Sequence, residues 1–364
     1  MMVNCERIHE LARGLLAGRD ALRIMEVCGT HTMAIAASGL RSLLPEGLRL
    51  ISGPGCPVCV TDQAYVDQAV ELALRGQVVI ATYGDMVRVP GSSGSLADAR
   101  AKGAAVEVVY SADQAVELAR KAPGRQVVFL AVGFETTTPG TAMAVLRARD
   151  EGVDNFKVLT AHKVILPAMR ALLADGQSRI DGFLCPGHVS VILGWRAYQP
   201  LVAEFGRPCV VAGFDPGQVV AGIEEILVQL AANQPRCCTV YPSVAPEGNV
   251  EARRIVGRVF EGCDAAWRAL GVIPASGLKL QEEFAAQDAA RCFDLPEVAS
   301  REPAGCRCGE VITGRCDPTD CGMFGVRCSP ASPIGPCMVS SEGACAAAYK
   351  YELPASRKSA KVET

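Results

Sequence analysis

Eight cysteines fall between Cys292 and Cys345, out of seventeen in the whole chain. This stretch is otherwise rich in Gly and Pro and poor in large apolar side chains, so hydrophobic burial alone cannot hold it together. Residues Met1 to Asp20 carry Arg, Glu and Asp and lack the apolar core of a signal peptide. No apolar run approaches the roughly 20 residues that span a bilayer. The chain is therefore read as cytoplasmic, with no membrane partner. In a reducing compartment structural disulfides are disfavoured, and metal ligation or redox chemistry becomes the default for dense cysteines. Soft thiolates select zinc or iron–sulfur clusters. Zinc ribbons carry tight Cys-x-x-Cys pairs, which this segment lacks, and its wide, irregular spacing favours an iron–sulfur cluster gripped by several loops. A zinc knot or plain packing is the alternative. Ser340-Ser-Glu-Gly-Ala-Cys345 reads as a capped helix start that places Cys345 in the first turn, where the helix dipole favours a thiolate. Scattered Cys209, Cys237, Cys238 and Cys263 are read as small packed hydrophobes.

The 364 residues suggest two or three domains. Apolar residues make up 49% and charged residues 21%, which fits a well-buried globular chain. A net charge of −3 leaves no basic stripe for phosphates and excludes a nucleic-acid partner. From about residue 20 to 240, short β-branched runs alternate with helical patterns. The strands expected are Leu22–Val27, Leu48–Ser52, Val78–Thr82, Val106–Tyr110, Val127–Val132, Lys157–Thr160, Gly182–Cys185 and Cys209–Gly213. Alternation of this kind implies α/β architecture with parallel sheets. The turns also repeat loosely: Glu26-Val-Cys-Gly-Thr-His-Thr is echoed by Gly133-Phe-Glu-Thr-Thr-Thr, and Gly53-Pro-Gly-Cys56 by Cys185-Pro-Gly-His188. The expected organisation is two similar α/β domains, 1–121 and 122–240, and a smaller, mainly helical and loop-rich iron–sulfur domain, 241–364. Helices are expected over Glu251–Ala269 and Leu280–Ala290.

Three constellations carry chemistry besides that terminal cluster of thiols. Cys28-Gly-Thr-His31 follows a strand and opens a helix. A helix N-terminus lowers a thiol pKa, Thr30 or Thr32 can cap the amides, and the strand-end crevice is where α/β sheets hold ligands. His31 can orient the thiolate or move a proton; equally, Cys28 is a buried strand-end thiol beside an ordinary cap. Gly53-Pro-Gly-Cys56-Pro-Val-Cys59 places Cys-x-x-Cys at a strand–turn–helix junction, as a redox pair or as half of a metal site. Glu135 and His188 occupy the matching turns of the second domain and are candidate acid–base or supporting groups. No turn matches a P-loop or dinucleotide fingerprint.

These residues resemble the hydrogenase maturation factor HypD family. The matching segments are Met25-Glu-Val-Cys-Gly-Thr-His-Thr-Met33, Gly53-Pro-Gly-Cys-Pro-Val-Cys59, Gly133-Phe-Glu-Thr-Thr-Thr138, Pro186-Gly-His-Val189 and Met338-Val-Ser-Ser-Glu-Gly-Ala-Cys345. The resemblance implies two α/β domains and a third that carries a [4Fe–4S] cluster. Its ligand spacing, C-x14-C-x6-C-x16-C, is met by Cys306, Cys321, Cys328 and Cys345. Cys292, Cys308, Cys316 and Cys337 are left over. It further implies a scaffold that assembles the Fe(CN)2CO unit of [NiFe]-hydrogenase with the small chaperone HypC and with cyanide from HypE. By the same resemblance Cys28 holds the iron, supported by His31, and Cys56 and Cys59 relay electrons between cluster and iron. Such a protein is a maturation scaffold with redox activity rather than an ordinary turnover enzyme. A cluster-dependent protein disulfide reductase using Cys56 and Cys59 is the alternative.

Overall fold

Runs such as Val78-Val-Ile-Ala-Thr82 combine β-branched residues with burial on both faces, the signature of strands covered by helices on either side. The computed structural model describes residues 5–177, 179–295 and 303–353. In chain order the strands are β1 (Leu22–Glu26), β2 (Leu48–Ser52), β3 (Val78–Thr82), β4 (Ala105–Val108), β5 (Gln126–Gly133), β6 (Phe156–His162), β7 (Gly182–Pro186), β8 (Cys209–Ala212), β9 (Cys237–Thr239), β10 (Phe260–Trp267) and β11 (Gly271–Leu280).

Two parallel sheets result, so the α/β expectation holds. One has the order β2-β1-β7-β8-β9 and the other β4-β3-β5-β6. In the first, Ile24 pairs with Leu50 on one side and Gly182 on the other. The sheets do not follow the boundary expected near residue 121. The chain leaves the first sheet after β2, completes the second with β3 to β6, and returns at β7. A matched order of turns along the sequence cannot reveal which strands pair. Residues 1–4 and 354–364, at the ends of the first and last expected domains, lie outside the described residues.

One buried core joins Met25 and Ile51 of the first sheet, Ile80 and Val128 of the second, and Cys308, Val311, Cys337 and Cys345 of the cysteine-rich segment. Separate cores cover the other faces: Val127, Phe129 and Phe260 on the second sheet, Ile24, Leu184 and Val210 on the first.

The helix expected over Glu251–Ala269 needs correction. A helix covers Val250–Val259, but Phe260–Trp267 is β10, paired antiparallel with β11. Ala265 and Ala266 favour a helix locally, yet the ladder and the burial of Trp267, whose Nε1 donates to Ser276 Oγ at 2.7 Å, override that preference. The stretch expected as helix Leu280–Ala290 is a 3-10 turn, Glu282–Gln287, and a separate short helix, Ala289–Cys292. Asp288 interrupts them, its side chain capping the Ala290 N–H. Among the described residues no helix is long and apolar enough to cross a membrane.

Candidate functional site

Cys28 sits two residues beyond β1 in extended conformation (φ −148°) and is the N-cap of the helix Gly29–Ser38. The residue is only 9% exposed. Burial pushes the thiol up to about 12; the N–H groups of His31 and Thr30 work against that, and the charge of Glu342 adds to it. Neither threonine caps the helix as expected. Thr30 Oγ1 donates to Glu342 Oε1 at 3.0 Å, and Thr32 Oγ1 donates to Glu26 Oε1 at 2.6 Å. Glu26 is fully buried beneath the loop, and burial raises its carboxyl to about 7 despite the Thr32 bond.

The Gly53-Pro-Gly-Cys56 turn lies directly against this loop. Gly29 N–H donates to Gly55 O at 3.3 Å, and a Cβ on Gly55 would stand 2.3 Å from Cys28 N. Cys56 and Cys59 form a disulfide. Cys56 caps the short helix Pro57–Val60, its sulfur accepting from Cys59 N–H at 3.2 Å. The two cysteines expected to act together are thus joined, one turn of chain from Cys28.

His31 is fully buried, and its ring Nε2 donates to Gly213 O at 2.9 Å, while Nδ1 has no partner. Burial lowers its pKa to about 4, so the ring is neutral. Phe214 lies between two histidines, its centroid 4.9 Å from His31 and 4.0 Å from His188. His188 is exposed at the end of β7, and its charge acts on Glu342, as does that of Asp85. Ser340, expected in the cap of the following helix, instead donates to Asp85 Oδ2 at 2.9 Å. The helix Ala344–Tyr351 starts at Gly343 with no side-chain cap, and Cys345 does lie in its first turn. Cys28, His31, His188, Asp85 and Glu342 therefore gather where the C-terminal ends of β1, β7 and β8 of the first sheet meet that of β3 of the second, and such strand ends are where open α/β sheets bind ligands. Glu135 bonds elsewhere: its Oε1 accepts from Ile165 N–H at 3.0 Å, Oε2 has no partner, and burial raises it to about 7.

Six cysteines line a single recess in the C-terminal segment: Cys306, Cys308, Cys321, Cys328, Cys337 and Cys345. Met323, Phe324 and Ile334 give it apolar walls. Cys308 and Cys337, two of the thiols left over by spacing, stand with sulfurs 2.8 Å apart. Cys292 is exposed and bonds Ala286 O, and Cys316 lines a different hollow. Among the described residues no three His, Cys, Asp or Glu side chains are closed up as ligands of a metal ion. The donor set still suits an iron–sulfur cluster: soft thiols in an apolar recess, beside a buried Arg268 whose Nη1 and Nη2 have no protein partner.

Sequence reading missed Glu26, Asp85, Glu342 and Arg268. Glu26 and Glu342 lie inside the quoted motifs, but nothing in their spacing brings residue 342 to residue 28.

Comparison with known proteins gives a family and curated relatives. The family model described as "HypD: Hydrogenase formation hypA family" matches residues 3–352. The hydrogenase maturation factor HypD of Rhodobacter capsulatus is 43% identical over 359 residues, covering 94% of this chain and 95% of that one. The protein of the same name from Escherichia coli K12 is 45% identical over 333 residues, covering 91% and 89%. That of Azotobacter vinelandii is 45% identical over 337 residues, covering 90% and 89%.

Proposed function

Because the chain belongs to the HypD family, whose role lies in hydrogenase maturation, we propose that it is the scaffold on which the Fe(CN)2CO unit is assembled. The observation that carries this reading is the convergence on one crevice of Cys28, the loop of the Cys56–Cys59 disulfide, and the segment leading to Cys345. A small chaperone of the HypC kind brings its own thiol to the iron, and a HypE-type protein delivers cyanide. The work takes place in the cytoplasm.

Cys28 is the iron ligand from this chain. Burial keeps its thiol protonated, so taking up the metal releases a proton. Glu342 and Glu26 are the carboxylates beside the loop that accept it. His31 does not titrate near neutral pH; it braces the loop through Gly213, and Phe214 transmits that bracing to His188.

Cys306, Cys321, Cys328 and Cys345 would hold a [4Fe–4S] cluster, which when bound supplies one-electron redox chemistry. The chain's remaining thiols handle electron pairs. Opening Cys56–Cys59 takes two electrons and one proton to give a thiol at Cys59 and a thiolate at Cys56, which the Cys59 N–H stabilises, and a second proton completes the dithiol. Cys308 and Cys337, already in contact, can close a disulfide and release two electrons and two protons. The short helices Pro57–Val60 and Pro336–Val339 pack together, which places these two pairs side by side.

That same juxtaposition favours a second reading, a protein disulfide reductase with Cys56 and Cys59 acting on a partner's disulfide. Cys28 separates the two, since a reductase has no use for it. The decisive experiment is an infrared spectrum of the protein purified anaerobically with its small chaperone. Bands of cyanide and carbon monoxide on iron, lost in Cys28→Ala, support the scaffold. Their absence from protein with full iron and sulfide content would transfer the assignment to the reductase.

A further inference from the structure

Arg268 follows the fully buried Trp267 at the end of β10 and is itself only 2% exposed. Its backbone N–H donates to Val60 O at 2.9 Å, and its Nε donates to Thr61 O at 3.0 Å. Those two bonds pin the stem of the side chain to the segment just after Cys59. Nη1 and Nη2 are buried with no hydrogen-bond partner. The neighbouring arginines differ: Arg307 pairs with Glu310 at 2.5 Å, and Arg315 donates to Gln177 at 2.9 Å.

A guanidinium does not lose its proton in a protein, so this position holds a permanent, buried cation. Leaving such a charge without a counterpart is strongly unfavourable. The ionisable groups that its charge reaches include Cys306 and Cys337, both in the six-thiol recess. Trp267 and Ala269, on either side of it in sequence, line a hollow together with Cys306. The cation therefore lies between the segment after Cys59 and the thiol recess, beside the hollow that Asp62 and Glu310 also line, and its Nη1 and Nη2 form no hydrogen bond with a carboxylate among the described residues.

We infer that Arg268 is the positioning cation of the cysteine recess: its buried guanidinium balances the negative charge of a thiolate-held iron–sulfur cluster and offers its two free amino groups to the sulfurs. The inference rests on reading the recess as a cluster site. A fixed positive charge and N–H donors beside the sulfurs favour the more negative, reduced state, so Arg268 eases reduction. Because the same side chain holds Val60 and Thr61, it also fixes the distance from the recess to Cys59.

The test is a redox titration of the anaerobic full-length protein, read by electron paramagnetic resonance, with iron and sulfide measured on every sample. Arg268→Met keeps the stem and removes the charge. It is expected to hold wild-type iron and sulfide, while its reduced-to-oxidised ratio at the wild-type midpoint falls about tenfold, about 59 mV for a one-electron couple. Arg268→Lys keeps the charge and stays within about threefold of wild type. Arg268→Gln replaces the methionine variant if that one does not fold. A neutral variant with full iron and an unmoved midpoint overturns the assignment, as does a lysine variant that falls as far as the neutral one. Wild-type protein without iron and sulfide removes the cluster reading itself and this inference with it.

Discussion

Thr30 Oγ1 donates to Glu342 Oε1 at 3.0 Å across 312 positions of chain, so the loop that presents Cys28 is fastened to the segment just before Cys345. The contact brings a carboxylate to a thiol that burial already holds protonated, and its charge pushes that thiol further up. Glu342→Gln keeps the shape and the hydrogen bond but removes the charge. At about pH 9 the alkylation of Cys28 by iodoacetamide, followed by peptide mass mapping, is expected to speed up about two- to tenfold. An unchanged rate in a folded variant would mean that Glu342 has no electrostatic hold on the thiol.

Gly55 makes a very close backbone approach to the Cys28 loop. A Cβ there would lie 2.3 Å from Cys28 N and 2.4 Å from Val27 C, atoms that cannot swing aside. Gly55→Ala is expected to cost about 2 kcal/mol or more and to lower the midpoint of thermal unfolding by several degrees. Calorimetry reads this directly. A variant as stable as wild type would show that the two loops can separate without loss.

The Cys59 N–H on the Cys56 sulfur makes Cys56 the better thiolate once the disulfide opens. Cys59→Ser is expected to leave a Cys56 that captures a small aromatic disulfide as a stable adduct. Cys56→Ser leaves Cys59, fully buried, and reacts at least about tenfold more slowly. Intact mass after a timed exposure distinguishes them, and equal rates would remove the directional reading.

Glu135 offers a pH test away from the cysteines. Its carboxyl is raised by burial from 4.5 to about 7. The unfolded chain therefore gives up this proton before the folded one does, and stability is lost as pH rises from about 4.5 to about 7. Glu135→Gln keeps an oxygen acceptor for Ile165 N–H and abolishes that loss. The variant is expected to gain about 1–3 kcal/mol over wild type between about pH 4.5 and about pH 8 in denaturant titrations. Parallel stability curves for the two proteins over that range would contradict the raised value.

Local chemistry made much of this molecule legible. Eight strand positions along residues 22–212 followed from β-branched runs, and the turns of Cys28 and Cys56 stand where a strand ends and a helix begins, as the sequence indicates. Pairing was not legible. Residues 24 and 182 are adjacent strand partners, and only the folded chain reveals that. The hairpin of Phe260–Trp267 was hidden for the same reason, its partner strand overriding the local helix preference of two alanines. At the site, the threonines read as caps because capping is a local rule, whereas their hydroxyls answer to Glu26 and Glu342. Spacing set Cys308 and Cys337 aside, yet they meet at 2.8 Å. Arg268 carries no motif at all, and its interest comes wholly from what surrounds it.

The closure of the Cys28 crevice by Glu342 has a consequence for synthesis. While the chain is still emerging from the ribosome, β1 has no neighbour on one side until β7 is made, and the Cys28 loop lacks Glu342 until nearly the last described residue appears. Contacts this distant in sequence form late. A nascent or prematurely terminated chain therefore displays Cys28 without the pocket that controls it. The fold thus makes the setting of a thiol near its first strand conditional on a segment 312 positions beyond Thr30 in the chain.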